Sequence, residues 1–365
     1  MDKKMHSPAV LFFKRLLRTN GFALAVIVVV LSVAIYFINS NFLSVGNLRG
    51  SIFVPLVVPG ILLVAVGPLL IGGGIDLSTA AQAAFASVLF AKLLDGFSGM
   101  PWLVALLITL LCGVCFGLIN IFLTNVLNFM PFIATIGMSS IYLGVSSWWT
   151  LKNNVPINNT TFNSLGGLAY FNRMVPLLFI FMIVLVAIYS YMLSNTRFGR
   201  SVYMCGGNPV AARLAGMNPV KVRSALFINS GVISALAGLA WASQLKMGHP
   251  EMLVTAAPNF VALTAIILGG TSFGGGSGGV AAGIIALLMV TVFDNGLTIL
   301  AQATAVKGQP LYGTYVNTVL KGLLLIVALM IDYMRTTRAK RALLAAALEG
   351  HHENTDADAD AADPV

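Results

Sequence analysis

From Gly21 to Met334 the chain is written almost wholly in apolar residues, broken at intervals by short polar or glycine-rich stretches. Runs of this length cross a bilayer core of about 30 Å as helices. Their unbroken apolarity lacks the in-out alternation of a lipid-facing barrel. Hydropathy and breaker residues together predict spans near 21–40, 52–71, 77–94, 102–126, 131–150, 174–194, 223–244, 254–272, 278–300 and 314–334. The expected fold is an all-α polytopic membrane protein of about ten transmembrane helices. Glycine and polar residues in the third, fifth and eighth spans leave room for short or re-entrant helices. Residues 1–20 read as a cytoplasmic N-terminal segment, 21–334 as the membrane domain and 335–365 as a cytoplasmic tail. Glu349 to Val365 holds six of the twelve acidic residues and is expected to be disordered. The apolar run after the N-terminal Lys and Arg residues lacks a small-residue cleavage pattern and reads as a retained first span.

The longest interruption is the loop 195–222. Its centre reads Gly206-Gly207-Asn208-Pro209-Val210-Ala211-Ala212-Arg213-Leu214-Ala215-Gly216-Met217-Asn218-Pro219. Asn208 suits an N-cap, Pro209 the first helical position and Gly216 a left-handed stop. Asn218-Pro219 repeats the start signal ahead of the next span. A helix of roughly seven residues lies far below the length at which isolated helices hold in water. It therefore needs a docking partner, on its own protein or on another. An ordinary capped cytoplasmic loop is the plainer reading of the same residues.

Composition agrees with the pattern. The 365 residues are 58% hydrophobic and 9% charged, with a mean hydropathy of +0.90, far from the roughly 25% charge of a soluble domain. With the N-terminus inside, fourteen Lys and Arg are cytoplasmic and six (Arg49, Lys92, Lys152, Arg173, Lys246, Lys307) are external, with Lys321 in the last span. This follows the positive-inside rule. It also accounts for the net charge of +9 without nucleic acid.

Candidate chemistry is mostly excluded. Cys112 and Cys115 lie one turn apart in an apolar span without a nearby His, which suits buried cysteines better than a metal. His6, His249, His351 and His352 offer no base within the membrane, so no catalytic residue is expected. The run Gly269 to Gly279 has no Lys-Ser/Thr after it and reads as a tight turn between close helices, not a phosphate cradle. Ion-coupled carriers place charge at mid-depth, whereas Asp76, Asp294, Lys321 and Asp332 fall near span ends or stand isolated. Asp76 most simply caps the third helix, a transport role being the alternative. What remains inside is uncharged polarity. Ser78, Gln82, Asn120, Thr135, Ser139, Asn229, Asn259 and Thr264, with Asp76, form the candidate path for a neutral polyhydroxylated solute. For each alone, hydrogen bonding between helices explains as much.

The stretches Val64 to Ser78 and Leu263 to Ser277 each run from an apolar helix into a glycine-rich turn. Five spans separate them, so two copies would be oppositely oriented, an inverted repeat of helices 2–5 and 7–10.

The segments Gly73-Gly74-Ile75-Asp76-Leu77-Ser78, Pro131 to Met138, Thr196-Arg197-Phe198-Gly199-Arg200 with Gly206 to Gly216, and Gly269-Gly270-Thr271 followed by Asn295-Gly296-Leu297 resemble a known family. They are similar to the permeases of bacterial sugar-uptake ABC transporters of the ribose, galactoside and xylose type, within the branched-chain amino acid/sugar permease superfamily. The resemblance runs from about residue 50 to 333. It implies a permease homodimer or heterodimer in the inner membrane, with both termini cytoplasmic, fed by a periplasmic sugar-binding protein. It also implies that a separate cytoplasmic ATPase binds ATP and Mg, so this chain carries no cofactor and no enzyme activity. The short helix then looks like the coupling helix, with Gly207, Asn208, Pro209, Ala212, Arg213, Leu214, Gly216 and Met217 as the docking residues. The chain departs from the family at Gly67-Pro68-Leu69, Thr79-Ala80 and Asn259, which flank the path and leave the solute open. Nucleosides, inositols and a furanosyl signalling molecule stay beside the sugars, and an ion-coupled secondary carrier is the rival class.

Overall fold

The computed structural model describes residues 20–97, 99–170, 174–251 and 256–304, with isolated helical positions between 319 and 337. The predicted tenth span, the N-terminal segment 1–19 and the tail from 338 lie outside the described residues, apart from those positions. Helices dominate: α1 (Asn20–Ile38), α2 (Val54–Ile71), α3 (Thr79–Gly96), α4 (Trp102–Ile121), α5 (Pro131–Thr150) and α6 (Thr160–Gly167). The second half adds α7 (Leu177–Asn195), α8 (Arg197–Gly207), α9 (Pro209–Leu214), α10 (Pro219–Leu245), α11 (Pro258–Leu268) and α12 (Val280–Thr304). Among the described residues, four two-residue strands, β1 (Val155–Pro156), β2 (Ala169–Tyr170), β3 (Val175–Pro176) and β4 (Met247–Gly248), form two small antiparallel ladders.

Among the described residues, six helical stretches are long and apolar enough to cross a membrane: Gly21–Ile38, Val45–Ile71, Trp102–Val126, Leu177–Asn195, Pro219–Leu245 and Val280–Ile299. The chain is thus an all-α polytopic membrane protein. Of the three spans whose glycine and polar content left room for short helices, α3 and α5 are full helices of 18 and 20 residues. The eighth is the short one. Its 11 residues begin at Pro258, after Ala257 in the left-handed region, and stop at the Gly269-Gly270 turn.

The core lies along α2, which is apolar all round as a fully enclosed helix must be. From Leu56 to Ile71 only Pro59 escapes full burial, and α10, α11, α7 and α12 pack around it. At the periphery α1 is mostly exposed, as a lipid-facing helix is, and leans on α12. A close crossing joins α4 to α10. A Cβ on Gly117 would lie 2.5 Å from Ile228 Cα, and one on Gly231 would lie 2.2 Å from Gly113 O. Gly113 and Gly117 are four apart on one face of α4, a spacing that lets backbones of apolar helices approach closely.

The connections collect at two opposite ends. At one, β1 pairs with β4, Arg49 donates to Gly167 O at 3.0 Å and Lys152 pairs with Glu251 at 3.4 Å. At the other, the turn after α2, the end of α8 and the turn after α11 meet. This alternation is the one that successive crossings require.

Candidate functional site

Between α2 and α3 the chain unwinds, and its polar side chains must be satisfied away from water. Asp76 does most of this and is 1% exposed. Its Oδ1 accepts from the Ser78 N–H at 2.9 Å and the Ser78 hydroxyl at 2.5 Å. Its Oδ2 accepts from Ser230 on α10 at 2.9 Å, Asn120 on α4 at 3.2 Å and Gln82 on α3 at 3.4 Å. The unwound backbone is held as well: Thr135 on α5 accepts from the Leu77 N–H at 3.1 Å, and Asn259 on α11 donates to Leu77 O at 3.2 Å. An acidic side chain at 259 has no N–H to give to that carbonyl. The amide found here is what this contact needs.

Asp76 is therefore not a helix cap. The N-cap of α3 is Ser78, which makes no side-chain capping bond, and the Asp76 carboxyl turns instead onto its own loop and three helices. Six of the nine predicted path residues, Asp76, Ser78, Gln82, Asn120, Thr135 and Asn259, come together in this network. The others stand apart. Ser139 is half-buried on α5, Asn229 accepts from the Tyr189 hydroxyl, and Thr264 donates back to Phe260 O at 2.8 Å. Ser230, which reads from the sequence as one more uncharged polar residue inside a span, joins them as a donor to Asp76.

The second feature is the meeting of three glycine turns. Gly73 and Gly270, both at positive φ, end α2 and α11 with the same pattern: Gly74 N–H reaches Leu69 O at 2.9 Å, and Thr271 N–H reaches Ile266 O at 3.1 Å. Gly276 N–H donates to Ile71 O at 2.8 Å. Against this joint lies the end of α8, where a Cβ on Gly206 would sit 1.9 Å from Ile71 O. Tyr203, one turn earlier, donates to Gly278 O at 2.9 Å. Burial raises the Tyr203 phenol above its ordinary range, and the neutral donor is retained. Burial also raises the neighbouring Cys205 thiol, partly opposed by Arg223.

Helix α9 leaves directly from this joint. Asn208 accepts from Val210 and Ala211 N–H at 3.1 and 3.0 Å. At the far end Gly216, at φ +81°, donates to Arg213 O at 2.9 Å and Met217 N–H reaches Ala212 O at 3.0 Å, the paired bonds of a left-handed helix stop. The predicted start and stop are as drawn, with six helical residues and Ala215 as the C-cap. Only Ala212 is buried; Val210 is 67% and Leu214 87% exposed, and Pro209, Arg213 and Gly216 face outward with them. The sequence did not announce α8, an 11-residue helix capped by Thr196, which accepts from Gly199 N–H at 3.1 Å.

Comparison with known proteins bears on what this arrangement is for. The family described as branched-chain amino acid transport system / permease component matches residues 50–329. The chain belongs to this permease family. It is 31% identical to the probable ABC transporter permease protein YphD of Escherichia coli K12, covering 88% of this chain and 92% of that one. It is 28% identical to the ribose import permease RbsC of Bacillus subtilis 168, over 83% and 89% of the two chains. With the galactose/methyl galactoside import permease MglC of Escherichia coli K12 it also shares 28%, over 86% and 94%. No solved structure matches the chain.

Proposed function

We propose that this permease is the membrane-spanning subunit of an inner-membrane ABC importer for a neutral sugar. A periplasmic binding protein delivers the solute, and a separate cytoplasmic ATPase, which binds the ATP and Mg, drives its passage. The observation that carries this reading is α9: a capped six-residue helix presenting Val210 and Leu214 outward beside the glycine joint. A helix this short is ordered by what it docks on, and its two exposed apolar residues suit the groove of a partner protein.

The joint gives the docked helix something to act on. Gly206 and Tyr203 touch the turns after α2 and α11, so a displacement of α9 is felt at both. The inverted repeat of helices 2–5 and 7–10 within a ten-span topology does not rest on the matched endings at Gly73 and Gly270: both turns lie at one end of the helices, whereas copies related by inversion end on opposite sides. With the excess of Lys and Arg on the α9 side, both termini are cytoplasmic and the β1–β4 end is periplasmic. Two copies, or this chain with a second permease, would enclose the path, and the Asp76 network would hold the broken segment beside it.

The substrate class comes from the ribose, galactose and fructose named for the relatives. Proteoliposomes carrying the chain with its ATPase and binding protein should take up tritiated sugar when ATP is supplied inside. Uptake driven by a proton or sodium gradient, and indifferent to ATP, would contradict the reading and favour a secondary carrier.

A further inference from the structure

At the end opposite the glycine joint, a cavity of about 390 Å³ opens among the start of α2, the end of α10, α11 and the second half of α12. Its size falls in the range of small-molecule sites. Its walls are apolar prolines and valines set with a few polar groups: Ser51, Trp241, Thr291, Asp294, Asn295 and Thr298. Two donors on this wall, Trp241 Nε1 and Asn295 Nδ2, are buried and have no hydrogen-bond partner among the described residues. Asn295 is itself more than nine-tenths buried. A buried N–H left unmade costs about 1–3 kcal/mol; both atoms lie just behind the cavity surface, and an occupant that draws them outward and accepts from them offsets that cost.

We infer that this cavity is a binding site for a single neutral monosaccharide, distinct from the Asp76 network. The donor set suits hydroxyl oxygens: the indole and amide N–H groups donate, the Asp294 carboxylate and the hydroxyls of Ser51 and Thr298 accept or exchange, and the Trp241 ring offers a flat apolar surface to sugar C–H groups. Among the described residues no basic side chain lines the cavity, which disfavours phosphorylated or acidic solutes. The inference rests on the importer reading for its orientation. There the cavity faces the periplasm, and it would be the first station that the sugar meets after release.

The test uses the purified chain in nanodiscs and the full complex in proteoliposomes. Ribose, galactose, fructose and allose are each titrated against tryptophan fluorescence. At least one sugar should give a saturable change that Trp241→Phe abolishes. Uptake of that sugar by the complex should fall about tenfold in Asn295→Leu and in Trp241→Phe, with the ATPase still co-purifying. Trp241→Phe keeps an aromatic ring in place and loses only the indole donor and its extra ring, which guards against a folding defect in Asn295→Leu. A flat titration with the unmodified chain, or uptake at the unmodified rate in both variants, overturns the site and leaves it filled by water alone. Failure of the importer reading is a separate result: the unmodified complex would transport no sugar, while the titration still decides the site.

Discussion

The backbone N–H of Gly276 donates to Ile71 O at 2.8 Å, joining the turn after α11 to the last residue of α2. These two helix endings close with the same backbone pattern, and Gly206 is pressed against the same carbonyl. The joint is possible because the segments that close on the Ile71 carbonyl do so through glycines: Gly275 and Gly276 also sit at positive φ, where L residues are strained.

Gly206 is the first place to test it. A methyl there would lie 1.9 Å from Ile71 O and 2.9 Å from Gly276 N, both backbone atoms that have nowhere to move. Gly206→Ala should abolish uptake while the protein still inserts. Gly216→Ala, with nothing within 4 Å of its Cβ, should cost only the left-handed backbone strain of about 1–2 kcal/mol. Uptake assays and detergent melting curves on the two variants read the contrast.

Asp76 anchors the broken segment, and its substitutions should rank by how many donors they strand. Asp76→Leu takes the acceptor from Ser78 and Ser230, at about 1–3 kcal/mol for each buried group, while Gln82 and Asn120 keep the Ser78 hydroxyl at 2.7 and 3.4 Å. Ser230→Ala removes one donor and leaves the carboxyl its others, at about 1 kcal/mol. Thermal unfolding in detergent should show a large drop for the first and a small one for the second. Equal shifts would mean that the network does not carry the segment.

The α4–α10 crossing predicts a third effect. Gly117→Val would drive methyl groups into Ile228 Cα and Phe227 O. The variant should fail to reach the membrane in folded form, as size-exclusion profiles would report. Gly144→Val on α5, with open space at its Cβ, should behave as the unmodified chain does.

Cys205 supplies a pH-dependent readout. Its thiol is raised by burial, so at a given pH it holds less thiolate than a free cysteine, and labelling should stay slow through neutral pH and rise only above the usual thiol range. On a Cys112→Ser, Cys115→Ser background, N-ethylmaleimide should modify native protein far more slowly than SDS-unfolded protein at pH 7. Equal rates would place Cys205 in the open.

How far the sequence disclosed this molecule varied with the range of the interaction. The cap, first turn and stop of α9 were readable because Asn208, Pro209 and Gly216 act on neighbours within four residues. The spans were readable because each is apolar over its own length. The role of Asp76 was not: a carboxyl before a helix looks like a cap, and its bond to Ser230 spans 154 positions. The spacing of Gly113 and Gly117 was a signal that went unused. The meeting of Gly73, Gly206 and Gly276 left no trace in local pattern, since each glycine reads as an ordinary turn.

The central claim is that α9 lies in the cytoplasm and docks on an ATPase. Leu214, 87% exposed, is the residue on which to measure it. With the native cysteines replaced, Leu214→Cys should form a disulfide crosslink with a cysteine in the ATPase groove, and should resist a membrane-impermeant maleimide added to intact spheroplasts. Rapid labelling from outside the cell, with no crosslink to the ATPase, would contradict the account.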